Sequence, residues 1–543
     1  MKTVLIRPSN PSGSAYLTKW GFLPVPIGLL QLAGCLRTME DSHVKVIDME
    51  ADSTRTVESV VDETLRFNPD MVGLTIHATA ANGTSNSIAK MIKEQKKETV
   101  LVAGGHHATF LPNELLGRGF DVVVLGEGDD TLIEIAKAIE QHQDFRNIPG
   151  IVYNEDSSSS SNDNKFVRTS PRALIDNLDR LPLPALDLVE RDRYTFKVFG
   201  KNETVTCLET SRGCPYACDF CSVTPTWGNK WRNKSVKRIL MELEMARQFN
   251  YNWIFFTDDI FVVYPNVRQR MKLFEEMVER GFNFKFLVQM RADVTSNNPE
   301  LIKKGAEAGM SVAFLGIESG SPEILKKMHK GLFTPQSVKA VRILSQNDVV
   351  VLVGMMLGVP YEGLRDMIAT IRFSNKLADA GADAVQFSVY TPLPGTRIFD
   401  DALKNNKLFT LDWDRYDILT PVMKTKVNPV ITQMMQFYGN YSFYLLKYLK
   451  GRLTGQERKW LMMKKKHDLL SNGQKFIMDM MPAYFRDMLK FPRTLLKTRK
   501  LYVSAASKAL SKEKISELMQ SSNKVVYLEN GSKNPYFLIK EAA

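Results

Sequence analysis

Ser211-Arg212-Gly213-Cys214-Pro215-Tyr216-Ala217-Cys218-Asp219-Phe220-Cys221 is the stretch on which the reading of this chain turns. Three cysteines spaced by three and two residues follow directly on Thr204–Glu209, an apolar run of strand length. On a loop leaving a strand, three thiolates at that spacing can wrap three corners of an iron–sulfur cube. A structural zinc site would want a fourth ligand at similar spacing, and none follows, since the other two cysteines are Cys35 and Cys207. The incomplete set leaves one iron open for a substrate or cofactor. Five cysteines in 543 residues exclude a disulfide scaffold, and their clustering points to a cytosolic metal site. Cys35 lies in an apolar helical stretch and Cys207 inside the strand, so both read as small core residues.

From Thr204 to about Asn405 six strand-like runs recur about 30–45 residues apart, which suits a partial (β/α)6 barrel with its active site at the carboxyl ends of the strands. They are Thr204–Glu209, Trp253–Thr257, Phe284–Val288, Val312–Ile317, Val349–Met356 and Ala384–Tyr390. Upstream, residues 1–140 alternate short apolar runs with amphipathic stretches: Val4–Ile6, Val44–Ile47, Met71–Ile76, Val100–Ala103 and Val122–Leu125. That alternation predicts a doubly wound, Rossmann-like α/β domain whose ligand sits over the strand ends. Those ends carry Arg7-Pro8, Asp48, Thr75-Ile76-His77, Gly104-Gly105-His106 and Gly126-Glu127-Gly128, with glycines where a bulky ligand needs close approach. Residues 141–203 read as a hairpin, Gly150–Tyr153 with Lys165–Thr169 around the serines Ser157–Ser161, followed by an extended Leu181–Ala185 linker. Residues 406–543 read as a helical, basic C-terminal domain.

The composition, 44% hydrophobic and 24% charged, is that of a folded globular chain and excludes a mostly disordered one. No apolar run approaches the ~18–20 residues that span a bilayer. The start, MKTVLIRPSN, meets Arg7 and Pro8 too early to form a signal-peptide core. The net charge of +12 is local: Leu445 to Lys500 holds fifteen Lys or Arg against four Asp or Glu. A basic balance confined to one segment describes that segment, so no nucleic-acid partner is expected. There Met and aromatics interleave with lysines, as in Trp460-Leu461-Met462-Met463-Lys464. Two readings fit, a cap on the barrel or an amphipathic membrane-surface element.

The three-cysteine motif, with an aromatic residue before its last Cys, resembles the radical S-adenosylmethionine (SAM) superfamily. The resemblance implies a 4Fe–4S cluster on Cys214, Cys218 and Cys221, whose open iron is chelated by SAM, and a supplied electron that cleaves SAM to a 5′-deoxyadenosyl radical. It places Phe220 against the adenine. Asp258, in Phe256-Thr257-Asp258-Asp259, falls near the SAM amino group, although a helix cap is the other reading of that pair. Arg291 fits a SAM carboxylate partner through bidentate bonds, or else a surface ion pair. Glu318 matches a ribose-contacting position, and Gly395, in Pro392-Leu393-Pro394-Gly395-Thr396, a turn lining the adenine pocket.

The first 140 residues resemble the cobalamin-binding domain that precedes the barrel in one branch of that superfamily. The match rests on Pro26-Ile27-Gly28, Gly104-Gly105-His106-His107-Ala108-Thr109 and Gly126-Glu127-Gly128-Asp129-Asp130-Thr131, taken as an ordered set. Where many such domains carry DxHxxG, this chain has Asp48-Met49-Glu50-Ala51-Asp52-Ser53, which keeps the Asp and replaces the cobalt-ligating His by Glu50. A carboxylate is a poor substitute for imidazole here, so cobalamin is expected base-off with no His from this motif. Thr75 can still hydrogen-bond the displaced base. His77 either faces the lower side of the corrin or is a half-exposed polar residue, and only one of His106 and His107 is expected to face the ligand.

The resemblance implies methyl transfer to an unactivated carbon: one SAM methylates cobalt, a second yields the radical that abstracts a substrate hydrogen, and a reductant such as flavodoxin or ferredoxin supplies electrons. The alternative is a radical SAM enzyme that forms, cyclises or rearranges carbon–carbon bonds without methyl transfer. The C-terminal composition favours a lipid- or isoprenoid-like substrate and a cytoplasmic chain that touches the inner membrane face.

Overall fold

Val4 and Ile6 of the first strand, β1 (Lys2–Arg7), pack to one side of a sheet and Leu5 to the other, and all three are buried. Alternation with both sides apolar demands helices on both faces. The computed structural model of the chain describes residues 1–9, 21–76, 79–155, 166–199, 201–453, 486 and 489–503. Its first sheet runs β2 (His43–Asp48), β1, β3 (Met71–Thr75), β4 (Val100–Gly104) and β5 (Val122–Val124), all parallel. Helices Val57–Arg66 and Asn82–Gln95 bury Val60, Val61, Ile88 and Ile92 on one face; Ile27–Leu36 and Asp129–Glu140 bury Leu29, Ala33, Leu132 and Ile135 on the other. Strand order reverses at β1, which puts a ligand crevice beyond the carboxyl ends of β1 and β3.

The hairpin expected as a connector extends this sheet: β6 (Ile151–Asn154) pairs antiparallel with β5, and β7 (Phe166–Arg168) with β6. The serine run Ser157–Ser161 lies outside the described residues.

The second sheet opens with an antiparallel strand that the sequence pattern did not show, β8 (Thr195–Val198), paired to β9 (Lys201–Leu208). A short ribbon follows, β10 (Ser211–Arg212) with β11 (Arg232–Asn233). Parallel to β9, in chain order, come β12 (Trp253–Phe256), β13 (Lys285–Met290), β14 (Met310–Glu318), β15 (Val350–Leu357) and β16 (Ala384–Val389). With β9 these five make the six anticipated barrel strands, curled into a half-barrel with helices such as Val267–Glu279 and Thr334–Gln346 packed outside.

An open half-barrel leaves an edge with unpaired backbone groups, a liability unless covered. Helix Pro429–Leu453 covers it. Asn440 Oδ1 accepts the Phe387 N–H at 3.1 Å, Gln436 Nε2 donates to the Phe387 carbonyl at 2.9 Å, and Tyr444 bonds the backbone of Val385. The C-terminal region thus begins as turns and irregular chain over 406–428 rather than as helix, and its helix Pro429–Leu453 caps the barrel; residues 454–485, 487–488 and 504–543, including Trp460, lie outside the described residues. Among the described residues no helix is long and apolar enough to cross a membrane.

Candidate active site

The cysteine loop leaves the carboxyl end of β9. Its base is closed at Gly213, which holds φ +88°, and a side chain there would drive into the Lys230 carbonyl. Only glycine fits such a position cheaply. The loop turns again where the Cys221 N–H donates to the Cys218 carbonyl at 3.1 Å. Burial pushes the Cys214 thiol up to about 11 and Cys221 up to about 12, and each is raised further by a neighbouring cysteine of the same loop. Among the described residues no three His, Cys, Asp or Glu side chains are gathered in metal-holding geometry, so the loop presents three neighbouring thiols rather than a closed site. As a donor set, soft sulfurs with no fourth protein ligand, they fit a cluster with one open corner.

Around the loop stand the other residues singled out in the barrel. Arg291, at the end of β13, lies 3.7 Å from the centre of the Tyr216 ring in the cysteine loop. Its guanidinium is already engaged: Nε donates to Asp293 at 3.0 Å and a terminal nitrogen to the Lys330 carbonyl at 2.9 Å. Asp258, at the end of β12, is buried and accepts from the Thr210 N–H and from the hydroxyls of Thr210 and Ser211, all through Oδ1. Its Oδ2 is buried without a hydrogen-bond partner, which leaves an acceptor for an incoming cationic group. Burial lifts this carboxyl up to about 6, against the pull of Arg270 and the two hydroxyls.

Glu318 closes β14 with φ +68°, in a register shift against β15. A non-glycine residue held in that region is strained and needs local compensation. The compensation is Lys330, whose ammonium donates to Glu318 at 2.7 Å; both side chains are about nine-tenths buried. Burial opposes the charge on Lys330, yet Glu318 and the Cys218 thiol outweigh it and its pKa is raised. Gly316 makes room for the pair, since a Cβ there would fall 2.8 Å from the Glu318 carboxylate. Lys330 also lies 5.8 Å from the Phe220 ring, which packs edge-on to Tyr390. The sequence reading missed Lys330, and its only signal was a lysine twelve residues past Glu318.

In the first domain, Gly28, Gly104 and Gly126 each have open space where a side chain would stand. Bare backbone over the strand ends is the cradle a flat macrocycle needs. Gly105 and Gly128 start helices after β4 and β5. Thr75 is half-buried at the end of β3, and His77 lies outside the described residues.

Other residues expected there are committed to the protein. Asp48 takes two bonds of 2.6 Å from Arg7 and one of 2.9 Å from the Tyr194 hydroxyl. His106 Nε2 donates to the Pro394 carbonyl at 3.0 Å, and its Nδ1 lies 3.0 Å from the Thr226 hydroxyl, so this histidine joins the first domain to the barrel. His107 is fully buried against Trp413, and burial pushes its pKa down to about 3. Glu127 accepts from Arg212, Arg232 and the Ile175 N–H. A side chain at Gly395 would run into Phe110 of the first domain. The carboxyl ends of the two sheets thus face each other, with β4 and β5 against the cysteine loop and the turn after β16. Cys35 and Cys207 are buried, as expected of core residues.

Comparison with known proteins matches this layout. The B12 binding domain family matches residues 13–136 and the radical SAM superfamily residues 208–374. An uncharacterized methyltransferase of Pyrococcus horikoshii is 34% identical over 82% of this chain and 93% of its own length. An anaerobic magnesium-protoporphyrin IX monomethyl ester cyclase of Rubrivivax gelatinosus is 25% identical, covering 85% of this chain and 81% of that one. A hopanoid C-3 methylase of Methylococcus capsulatus is 26% identical, covering 76% and 74%. The cobalamin-dependent S-adenosylmethionine radical enzyme OxsB, solved with aqua-cobalamin and S-adenosylmethionine bound, superposes with a TM-score of 0.64 at 18% identity, covering 96% of this chain and 83% of its own.

Proposed function

On the premise that this chain belongs to the radical SAM superfamily, in the branch that carries a B12-binding domain, we propose that it methylates an unactivated carbon of a large hydrophobic substrate. The observation that carries the reading is the facing of the two strand-end edges, with three thiols on one side and a bare glycine cradle on the other. When bound, the cluster with SAM supplies a radical that removes a hydrogen atom, and cobalamin supplies the methyl group. Cys214, Cys218 and Cys221 hold the cluster; Asp258 and Glu318 offer acceptors for the SAM amino and ribose groups, and Lys330 and Arg291 offset its carboxylate. Phe220 and Tyr390 cover the adenine side and keep water out. Enclosure matters because a primary carbon radical attacks whatever is nearest. Gly104 and Gly126 would offer a corrin bare backbone to lie on, and with Glu50 in place of a histidine this motif would offer the cobalt no imidazole.

Incubating reconstituted protein with SAM and a reductant tests the pairing of chemistries. Both 5′-deoxyadenosine and S-adenosylhomocysteine should form, and the second should depend on added cobalamin. Formation of 5′-deoxyadenosine alone, at full cobalamin loading, would favour the other reading. That reading, ring formation or rearrangement without methyl transfer, draws support from the cyclase of Rubrivivax gelatinosus. Product mass separates the two, one methylene heavier against a loss of hydrogens or no change.

The hydrophobic substrate and a peripheral contact with the inner membrane face draw support from the C-terminal region. Ile431, Met434, Tyr438 and Leu445 recur at helical spacing along Pro429–Leu453 and are exposed. Leu489, Leu496 and Val503, also exposed, recur every seven residues among Lys490, Arg493, Lys497 and Lys500. Apolar residues beside cations suit an anionic bilayer surface, at roughly 1 kcal/mol per cation near it. Cutting the chain near Asp412 would bare β16, so the test is by substitution. Full-length protein should pellet with anionic phospholipid vesicles at low salt, and the variant with Ile431, Met434, Tyr438 and Leu445 all changed to Gln should not. Equal recovery of both in the supernatant would remove the support for a lipid-like substrate.

A further inference from the structure

The cysteine loop is fastened to the first domain at both of its ends. At its entry, Arg212 sits two residues before Cys214 and is almost completely buried. Its Nε donates to Glu209 at 2.9 Å, while its terminal nitrogens reach Glu127 at 3.1 Å and Asp129 at 2.8 and 3.3 Å. Both belong to the first domain, Glu127 in the turn after β5 and Asp129 at the start of the helix Asp129–Glu140. Arg232, the cross-strand partner of Arg212, donates to the same Glu127 oxygen at 2.8 Å. Two like charges facing each other across a two-stranded ribbon repel. Here they are held together by a carboxylate that the other domain inserts between them.

At the exit of the loop, Thr226 stands five residues after Cys221, in the helix Val223–Trp227. Its hydroxyl lies 2.8 Å from the Ser222 carbonyl and 3.0 Å from His106 Nδ1; with the neutral ring donating through Nε2 to Pro394, Nδ1 accepts the Thr226 hydroxyl proton. His106 is buried, and its other ring nitrogen is held by the Pro394 carbonyl. Between these two fastenings the segment bonds to itself and to the barrel: the Cys221 N–H donates to the Cys218 carbonyl, the Thr224 hydroxyl to the Tyr216 carbonyl at 3.1 Å and the Asp219 N–H to Met328 at 3.4 Å, while the Asp219 carboxylate meets His329 at 2.8 Å and Arg397 at 3.7 Å.

We propose that the first domain holds the ends of the cysteine loop in place, gripping it at Arg212 and at Thr226, so that cluster retention depends on residues of a domain that supplies no sulfur. Glu127, Asp129 and His106 are positioning residues in this arrangement. The inference rests on the cluster reading given above and adds a dependence between the domains to it. Glu127 carries most of the grip, because removing its charge leaves Arg212 and Arg232 buried with less compensation.

The test uses the full chain, anaerobically reconstituted, and compares Glu127→Gln and His106→Ala with Glu63→Gln, a change on a first-domain helix remote from the loop. Cluster absorbance is followed after addition of an iron chelator, and amide exchange of residues 213–222 is followed in the metal-free protein. Both interface variants should lose cluster absorbance at least about tenfold faster than wild type and should raise exchange in the loop. Exchange in β1 to β4 should stay unchanged, which certifies the fold. The control should match wild type in both measurements, and Arg212→Lys, keeping one charge contact, should fall between. Wild-type cluster lifetimes with unchanged loop exchange in Glu127→Gln and His106→Ala would overturn the proposal. A wild-type chain that takes up no iron at all would instead overturn the cluster reading, and loop exchange in the metal-free variants would then decide the grip by itself.

Discussion

Across the gap between the two sheets, the ends of β4 and β5 face the end of β9, and the two edges hold their polar groups differently. On the barrel side the three cysteines, Asp258 Oδ2 and the Glu318–Lys330 pair lie close to the loop with donors or acceptors still to spare. On the first-domain side nearly every charged or aromatic candidate is spent on the protein: Asp48 on Arg7 and Tyr194, His106 on the barrel, Glu127 on two arginines. What remains open there is backbone, at Gly28, Gly104 and Gly126. A small, charged cofactor needs directed side chains, whereas a large flat one needs room. On the reading proposed above, one edge would recognise by bonds and the other by shape.

The contrast can be broken at several points. Lys330→Met leaves Glu318 buried and unpaired on a strained backbone, which should cost about 3–5 kcal/mol of stability in urea unfolding. The double change Glu318→Gln with Lys330→Met should recover part of the loss. A single-variant cost below about 1 kcal/mol would mean that the pair is solvated, and the bond-rich description of the barrel edge would fail.

Asp258 offers a pH handle on the same edge. Burial pushes its carboxyl up to about 6 from the ordinary aspartate value of 3.8, so the native state holds the proton more tightly than the unfolded chain. The stability this group contributes is present in acid and is lost as pH rises from near 3.8 through about 6. Asp258→Asn cannot titrate, so wild type should lose up to roughly 3 kcal/mol relative to it across that window. A pH-independent difference would contradict the burial assigned to Asp258.

On the cradle side, Gly104→Leu starts from a position where a Cβ has no neighbour within 4 Å. Stability should change by less than about 1 kcal/mol, while cobalamin affinity falls about tenfold or more. Unaltered affinity would move the corrin away from the β4 end. The smallest effect belongs to Asp187→Ala, which removes an exposed pair of 2.7 Å to Arg37 and should cost about 0–1 kcal/mol. It calibrates what an ordinary surface ion pair is worth in this chain.

Much of the architecture is legible in the sequence because it follows from period and spacing. The parallel strands of both sheets sit on the apolar runs, and the cysteine spacing marks the loop. Less legible was what each polar residue is bonded to. His106 and Glu127 carry the right residue types for a ligand, but their partners come from 48 or more positions away in the chain. Lys330 reads as one surface lysine among many until folding buries it beside Glu318. β8 was missed because Thr195–Val198 is short and follows a polar linker. The capping by Pro429–Leu453 rests on Gln436, Asn440 and Tyr444, which recur every four residues along the helix, but polar residues at that spacing do not by themselves mark a face that bonds a strand edge.

The most direct measurement is cofactor content after anaerobic reconstitution with iron, sulfide and hydroxocobalamin, for wild type and for the variant with Cys214, Cys218 and Cys221 all changed to Ala. Wild type should hold one 4Fe–4S cluster and one base-off cobalamin, and should release 5′-deoxyadenosine from SAM under reduction. The triple variant should lose the iron and the 5′-deoxyadenosine. It should keep the cobalamin, because the cradle is built by the other domain. A cluster that survives in the triple variant, or a wild-type protein that binds no cobalamin at saturating concentration, would contradict the assignment of the two cofactors to the two facing edges.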